Sequence, residues 1–388
     1  MNMNEQMKES EESILHTYNR FPVVFEKGQG CYLYDSEGKE YLDFAAGIAV
    51  NSLGYHYPGY DEALKDQIDK LMHISNLYYN EPIIEAGAKL VKASKMSKAF
   101  FTNSGTEAIE GALKAAKKYA YVRDGHADHE IIAMNHSFHG RSIGALSVTG
   151  TAHYREPFEP LMGGVKFADF NDLESVKAQI TDKTCAIITE VVQGEGGIYP
   201  AKKEFLEGLR QICDEKDIIL IFDEIQCGMG RTGHYFAWQA YGVQPDIMTN
   251  AKALGCGVPV GAFVLGEKAA KASLEPGDHG TTYGGNPFVC AAVSKVFDIY
   301  ENDKIIEHVQ EMTPYLEQKL DELVAKHECA ATRRGMGFMQ GIVIQGRPVG
   351  EVVKAALAKG LLVISAGSDV LRIVPPLVIT KEHIDKMA

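Results

Sequence analysis

The sequence has 388 residues, of which 45% are hydrophobic and 23% are charged, with a formal net charge of -13 at pH 7. Such a composition is typical of a globular protein long enough for two domains. The acidic balance argues against nucleic acid or an anionic membrane as the main partner, because both attract basic surfaces. There is no signal-peptide core, no run near the ~18 apolar residues of a membrane span, and no CxxC motif among seven cysteines. We therefore expect a reduced, cytoplasmic setting with neither a disulfide framework nor a metal site.

The predicted elements begin with short strands, because residues 30–44 alternate apolar and polar side chains around a Ser-Glu-Gly turn. From about Glu81, helical stretches alternate with short apolar runs. Those runs span residues 99–102, 130–134, 185–190, 217–224, 246–249 and 260–266. Uninterrupted apolar runs predict strands buried on both faces, and the helices between them predict βαβ units and a mainly parallel sheet.

After about Glu275 the sequence becomes helical again. It ends with strand candidates at 337–344, 360–365 and 370–376. We predict an α/β protein with three parts. These are an N-terminal segment (1–50) that packs with the small domain, a large mainly parallel-sheet α/β domain (51–275) and a smaller C-terminal α+β domain (276–388).

Ligands of open α/β sheets bind beyond the carboxyl ends of the strands, so the residues after each apolar run are candidates for function. After 99–102, Ser104, Gly105 and Thr106 open a strong helix. Free N–H groups, a glycine and a hydroxyl at a helix start suit a phosphate. The alternative is a capping box between Ser104 and Glu107, which needs no ligand.

Two further strands are followed by side chains that suit a planar, charged ligand. After 130–134, Phe138 could cover a ring and Arg141 could bind a carboxylate as a fork. The alternative is a surface loop with a solvated arginine. Glu190 ends the run 185–190, where it could pair with an arginine or a substrate, or only solubilise a loop.

The last two candidates are an acid and a lysine. Asp223 could hold a proton on a heterocyclic nitrogen, although a metal-binding role is an alternative. Lys252 follows an apolar run and precedes a glycine loop; a desolvated lysine there forms Schiff bases, whereas most lysines are simply solvated. These candidates could bind a phosphate, a ring face, a ring nitrogen and an aldehyde, and pyridoxal phosphate has all four of these features. Neither common nucleotide-binding motif occurs.

Six motifs also resemble a known family. They are FFTNSGTEA, FHGR, QGEGG, FDEIQCGMGRTG, NAKAL and HGTTYGGNP. Together they resemble the class III, pyridoxal-phosphate-dependent aminotransferases that act on ω-amino groups, over about Tyr18 to Ile384. The resemblance implies the fold-type I PLP-transferase fold. The sequence departs from the family pattern at Cys256, Tyr55 and Tyr57, where the family has one glycine and two histidines.

The resemblance implies a set of site residues. Lys252 would carry the cofactor covalently, and Asp223 would pair with the ring nitrogen. The other implied cofactor residues are Gly105, Thr106, Phe138, Gln226 and Thr282. The implied substrate residues are Arg141, Glu190, Thr281 and Arg372. Because Thr282 would reach the phosphate of the partner subunit, the resemblance implies a homodimer with a shared active site.

The implied reaction moves the ω-amino group of N2-acetylornithine to 2-oxoglutarate, as in arginine biosynthesis. Arg141 would bind the α-carboxylate of the acetylated amino acid, and Arg372 that of glutamate. Glu190 would pair with Arg372 while the ω-amino substrate is bound. Ornithine, succinylornithine and 4-aminobutyrate are alternative donors. An isomerase similar to glutamate-semialdehyde aminomutase is a further alternative, and it would need no keto acid.

Overall fold

The chain is built around a seven-stranded sheet, in a computed structural model that describes residues 2–388. The strands are β1 (Phe25–Gln29), β2 (Tyr32–Asp35), β3 (Glu40–Asp43), β4 (Lys98–Thr102), β5 (Glu130–Met134), β6 (Val165–Ala168), β7 (Thr184–Glu190), β8 (Val192–Gln193), β9 (Tyr199–Pro200), β10 (Ile219–Asp223), β11 (Ile247–Asn250), β12 (Gly261–Leu265), β13 (Ala330–Met336), β14 (Met339–Ile344), β15 (Leu361–Leu362), β16 (Ile364–Ala366) and β17 (Val370–Ile373).

Helices cover both faces of this sheet and fill the two ends of the chain. They are α1 (Met3–Ser13), α2 (Ala46–Ala49), α3 (Tyr60–Lys70), α4 (Glu81–Ser94), α5 (Gly105–Asp124), α6 (Ile143–Ser147), α7 (Ala152–Arg155), α8 (Leu173–Gln179), α9 (Lys203–Glu215), α10 (Trp238–Tyr241), α11 (Glu267–Lys271), α12 (Pro287–Asn302), α13 (Ile305–Lys326), α14 (Val349–Ala358) and α15 (Lys381–Met387). α2 is a single left-handed turn, with φ of 62° at Gly47 and 65° at Ile48. Within residues 2–388, no helix combines the length and the apolar character needed to cross a bilayer.

The central sheet has the strand order β4-β12-β11-β10-β7-β5-β6. The five strands from β11 to β6 pair in parallel, whereas β12 runs antiparallel to both of its neighbours. The predicted mainly parallel α/β sheet is therefore confirmed, with one reversed strand. The edge strand β6 was not predicted, because its sequence VKFA is short, includes a lysine and is only partly buried.

The apolar runs form the predicted strands because both faces of the sheet are covered. Every residue of β7 and β10 is buried. Along β5, Ile131 and Ala133 pack in one apolar core, while Ile132 and Met134 pack in the core on the opposite face. Alternate side chains of a strand point to opposite faces, so a two-sided core requires a continuous apolar run.

Two four-stranded sheets accompany the central one, besides the antiparallel pair of β8 and β9. The C-terminal strands form an antiparallel sheet in the order β13-β14-β17-β16. The N-terminal strands β1, β2 and β3 form a second sheet, which β15 from the C-terminal part joins in parallel beside β3. The division at residues 50 and 275 into three parts stays a prediction.

Candidate active site

A cavity of about 640 Å³ opens at the carboxyl-terminal edge of the central sheet, where β4, β7, β10 and β11 end. Eight of the eleven predicted site residues line it. They are Gly105, Thr106, Phe138, Arg141, Glu190, Asp223, Gln226 and Lys252. Side chains that are distant in the sequence thus meet in one space, as ligand binding at a strand-end edge requires. Their individual roles remain predictions.

One end of the cavity is formed by the start of α5. Ser104 caps this 20-residue helix, and its hydroxyl oxygen accepts the N–H of Glu107 at 3.3 Å. The Glu107 carboxylate accepts the N–H of Asn103 at 2.8 Å instead of returning to Ser104, so the capping box is not closed. The N–H groups of Gly105 and Thr106 belong to the first turn, which has no acceptor within its own helix. A phosphate fits this arrangement of backbone donors at a helix start.

Asp223, the last residue of β10, is buried on the cavity wall. One carboxylate oxygen accepts the N–H of Ile225 at 2.9 Å. The other lies 2.7 Å from Nδ1 of His139, a pair that requires the proton on Nδ1 because the carboxylate can only accept. Nε2 of His139 is buried without a partner. His139 therefore fixes the orientation of Asp223, and it was not among the predicted residues.

Lys252, which is separated from the end of β11 by one residue, begins a short 3-10 turn with φ of 48°. Across the described residues 2–388, its amine enters neither a side-chain hydrogen bond nor an ion pair. Burial lowers the pKa of Lys252 to about 8, and the positive charge of Arg372 acts in the same direction. A substantial fraction of neutral amine near physiological pH is what a nucleophilic lysine needs. A freely solvated lysine would have no such shift.

The mouth of the cavity holds an arginine between two rings. The rings of Phe138 and Tyr154 meet edge to face, with centroids 5.6 Å apart. The guanidinium carbon of Arg141 lies 5.3 Å from each centroid. Arg141 has no carboxylate partner among the described residues, so its fork is available for the carboxylate of a ligand.

The partner of Arg372 differs from the prediction. The Arg372 side chain is 4% exposed, and its guanidinium forks the carboxylate of Glu195. It also donates to the amide oxygen of Gln226 at 3.1 Å. The pair between Glu190 and Arg372, predicted for the protein with the ω-amino substrate bound, is not formed in this structure, because Glu195, in the turn between β8 and β9, occupies that position.

Glu190 has different surroundings from those expected. Its oxygens accept the backbone N–H groups of Gly194 at 3.1 Å and Phe138 at 3.3 Å. Burial raises the pKa of Glu190 well above its usual range, and the charge of the adjacent Asp223 adds to this. Glu190 is in register with Asp223 on the neighbouring strand, so its position is fixed by the sheet.

Three predicted residues lie outside the cavity wall. Arg372 reaches the cavity through Glu195 and Gln226, which both line it. The hydroxyl of Thr281 accepts the side-chain amide N–H of Asn103 at 3.2 Å. Thr282 is exposed and does not line the cavity of its own chain.

Several cavity residues were missed. Glu195 and His139 stand inside the QGEGG and FHGR motifs, so an acid between glycines and a second ring beside Phe138 were available signals. Tyr18 and Val50 also line the cavity. They come from the N-terminal segment, and no local pattern in the sequence indicates that this segment reaches the strand ends.

Comparisons with known proteins agree with this geometry. A family model described as aminotransferase class-III matches residues 14–388. The chain is 48% identical to acetylornithine aminotransferase of Clostridium acetobutylicum, over 97% of both chains. It is 43% identical to succinylornithine transaminase of Yersinia pseudotuberculosis, over 96% of this chain and 92% of that one. The crystal structure of ornithine aminotransferase from Toxoplasma gondii superposes with a TM-score of 0.95 at 29% identity, covering 100% of this chain and 93% of that one.

The match covers nearly the whole chain, and five of the six motifs that suggested it bring their residues to the same cavity. The chain therefore belongs to the class III aminotransferase family.

Proposed function

We propose that this protein transfers the ω-amino group of N2-acetylornithine to 2-oxoglutarate, in arginine biosynthesis, with pyridoxal 5'-phosphate as cofactor. The products are N-acetylglutamate semialdehyde and glutamate. The observation that carries the proposal is the single cavity that joins an unpaired lysine, a buried aspartate and a helix start. The 48% identity to an acetylornithine aminotransferase supports the choice of donor.

The residues around the cavity fit pyridoxal phosphate. The free N–H groups at the start of α5 would hold its phosphate, together with the hydroxyl of Thr106. Phe138 would cover one face of its ring, and Asp223 would face its nitrogen. When bound, the cofactor supplies an aldehyde for the amine and a protonated ring that takes up electrons from the reacting carbon. An anion at Asp223, oriented by His139, keeps a proton on that nitrogen.

Lys252 would hold the cofactor and then act as the base. With a pKa of about 8, its amine is neutral often enough to accept a proton from the carbon that bears the substrate amine. Arg372 contributes to this value through its positive charge, so a change at Arg372 also alters the proton affinity of Lys252. The cavity walls restrict water around this exchange, which strengthens each charge interaction.

The two substrates react at different positions of their carbon chains, although both must react beside Lys252. N2-Acetylornithine reacts at its far amine, so its carboxylate reaches the cavity mouth, where Arg141 is unpaired. 2-Oxoglutarate reacts next to a carboxylate, which needs a cation near the chemistry. Arg372 is that cation, and Glu195 neutralises it when no such carboxylate is present. In this proposal Glu195, and not Glu190, is the acid that leaves Arg372 when the carboxylate of 2-oxoglutarate binds.

The first test is the absorption spectrum of the purified protein with pyridoxal phosphate, before and after N2-acetylornithine is added without a keto acid. We expect the band of the protein-bound cofactor to convert to that of the amine form. Parallel titrations with succinylornithine, ornithine and 4-aminobutyrate rank the alternative donors. A band that responds to ornithine but ignores acetylornithine would refute the proposed donor, and no band would refute the cofactor. Turnover without any keto acid would favour an isomerase.

We also propose a homodimer whose subunits share each active site. Large apolar side chains are exposed beside the loop that carries Thr282, including Leu77 at 87% and Tyr79 at 95%. The two segments adjoin, because the side-chain amide of Asn76 donates to the carbonyl of Gly284 at 2.8 Å. A contiguous exposed apolar patch of this kind is typical of an interface. Thr282, exposed at its edge, would face the partner's phosphate site.

Subunit complementation tests this arrangement. Thr282→Glu should impair the phosphate site by charge repulsion, and Lys252→Ala should abolish activity. A mixed dimer of the two variants contains one site with Lys252 and Thr282 both intact if the site is shared. Activity restored on co-expression supports sharing, and no restoration in a verified mixed dimer contradicts it.

The cytoplasm remains the proposed location. All seven cysteines are free, and six of them are buried. Free thiols are the state that a reducing compartment maintains.

A further inference from the structure

A cluster of metal-ligating side chains lies at the end of α5 opposite the active site. It consists of Asp124, His126 and His129, and one ligand atom of each lies within 4.8 Å of the others. α5 has 20 residues, which corresponds to about 30 Å between its two ends. The cluster is therefore far from Lys252, and the proposed aminotransferase chemistry does not use it.

The turn after α5 brings the three side chains together. Gly125 ends the helix in a left-handed conformation with φ of 77°, and its N–H bonds to the carbonyl of Tyr121. The chain then reverses, so that residues 126–129 pass beside the last helical residue, Asp124. The rings of His126 and His129 lie parallel, with centroids 4.6 Å apart and an angle of 16°.

Two of the three ligand side chains are already hydrogen-bonded to each other, at a distance somewhat shorter than that of a coordinated pair. The Oδ2 atom of Asp124 lies 2.9 Å from Nε2 of His129. Two ligand atoms at about 2.0–2.1 Å from a tetrahedral zinc ion lie roughly 3.3 Å apart. The His129 side chain is 1% exposed, so burial holds its Nε2 beside Asp124. His126 is exposed, so its ring can rotate to complete the set without disturbing the core.

A neighbouring arginine already occupies the carboxylate of Asp124. The guanidinium of Arg123 forks the carboxylate at 2.6 Å on both oxygens. A metal ion would displace one of these guanidinium contacts. The neighbouring acid, Asp128, is paired with Lys183.

We propose that Asp124, His126 and His129 bind one divalent cation of the zinc class, with water in the fourth position. Two imidazoles and one carboxylate suit zinc, nickel or copper better than magnesium or calcium, which prefer oxygen ligands alone. Binding ties the end of α5 to the residues that lead into β5, so it stabilises this corner of the large sheet. This inference is independent of the proposed function, because none of the three residues touches the cavity.

The test is a calorimetric titration of the untagged, chelator-treated holoenzyme with ZnCl2. We expect one saturable equivalent per chain, with the affinity at least about tenfold lower in His126→Asn and in Asp124→Asn, since each change removes one of three protein ligands. The matched control is His327→Asn, another exposed histidine, which should bind as the wild type does. Arg123→Gln should bind more tightly, because it removes the competitor for Asp124.

Two further readouts separate binding from general damage. Zinc should raise the Tm of the wild type but not that of His126→Asn, and the circular dichroism of both proteins should be the same without metal. The rate of transamination should be unchanged in His126→Asn. No saturable equivalent in the wild type, or unchanged affinity in His126→Asn and Asp124→Asn, would overturn the proposal.

Discussion

Replacement of Glu195 by glutamine tests the assignment of the Arg372 partner. The substitution keeps the size of the side chain and removes its charge. In the wild type, the carboxylate of 2-oxoglutarate must displace Glu195 from Arg372 before it can form the same fork. In Glu195→Gln no carboxylate competes, so 2-oxoglutarate should bind more tightly. N2-Acetylornithine should react less efficiently, because the uncovered cation attracts its carboxylate to the wrong end of the site.

The magnitude follows from the bonds that are broken. Hydrogen bonds to charged groups contribute about 1.5–3 kcal/mol. Glutamine can still accept one of the two hydrogen bonds from Arg372, so the lower end of this range applies. A free-energy difference of about 1.4 kcal/mol corresponds to a tenfold change in a binding constant. We expect the KM for 2-oxoglutarate to fall about tenfold and kcat/KM for N2-acetylornithine to fall by a similar factor. Arg372, which is 4% exposed, loses its counter-charge, so the Tm should also fall.

The assay is steady-state kinetics with each substrate varied in turn, on protein whose cofactor content and Tm are measured first. Glu190→Gln is the matched comparison, because it removes the same group five residues earlier, where no cation is paired. Its selectivity between the two substrates should stay within about twofold of the wild type, since Glu190 pairs with backbone N–H groups and not with Arg372. Altered selectivity in Glu190→Gln together with none in Glu195→Gln would refute the reasoning.

Three further predictions concern the cofactor. The cofactor-free protein should take up pyridoxal phosphate at a rate that rises with pH around a midpoint near 8, because the lowered pKa of Lys252 supplies the neutral amine. Stopped-flow absorbance measures this rate, and a midpoint near 10 would contradict the prediction. Gly140→Ala should weaken cofactor affinity at least about tenfold in equilibrium dialysis, because the new Cβ would lie 2.3 Å from Oγ1 of Thr106 at a φ of 135°. Asp223→Asn should slow transamination about 10- to 1,000-fold, since an adjacent anion raises a pKa by 1–3 units. An unchanged single-turnover rate in Asp223→Asn would show that the proton on the ring nitrogen does not depend on Asp223.

Much of the fold could be predicted because its signals are local. The run EIIAM coincides with β5, and buried runs elsewhere lie within a residue or two of β4, β7, β10, β11 and β12. A strand covered on both faces must be apolar at every position, so its own sequence identifies it. The partly buried edge strand β6 carries no such signal, and the direction of β12 depends on its neighbours.

The sequence by itself also determined which side chains stand at the strand ends, and hence that Lys252, Asp223 and the start of α5 share one cavity. Parallel strands align their carboxyl ends at one edge, so order along the chain becomes proximity in space. Only the tertiary structure decided which of two nearby acids meets Arg372. The turn between β8 and β9 carries Glu195 to the guanidinium, while pairing in the sheet fixes Glu190 beside Asp223. It likewise brought Tyr18 to the cavity wall. Contacts of this kind join residues far apart in the sequence, and they depend on loop paths that no local pattern encodes.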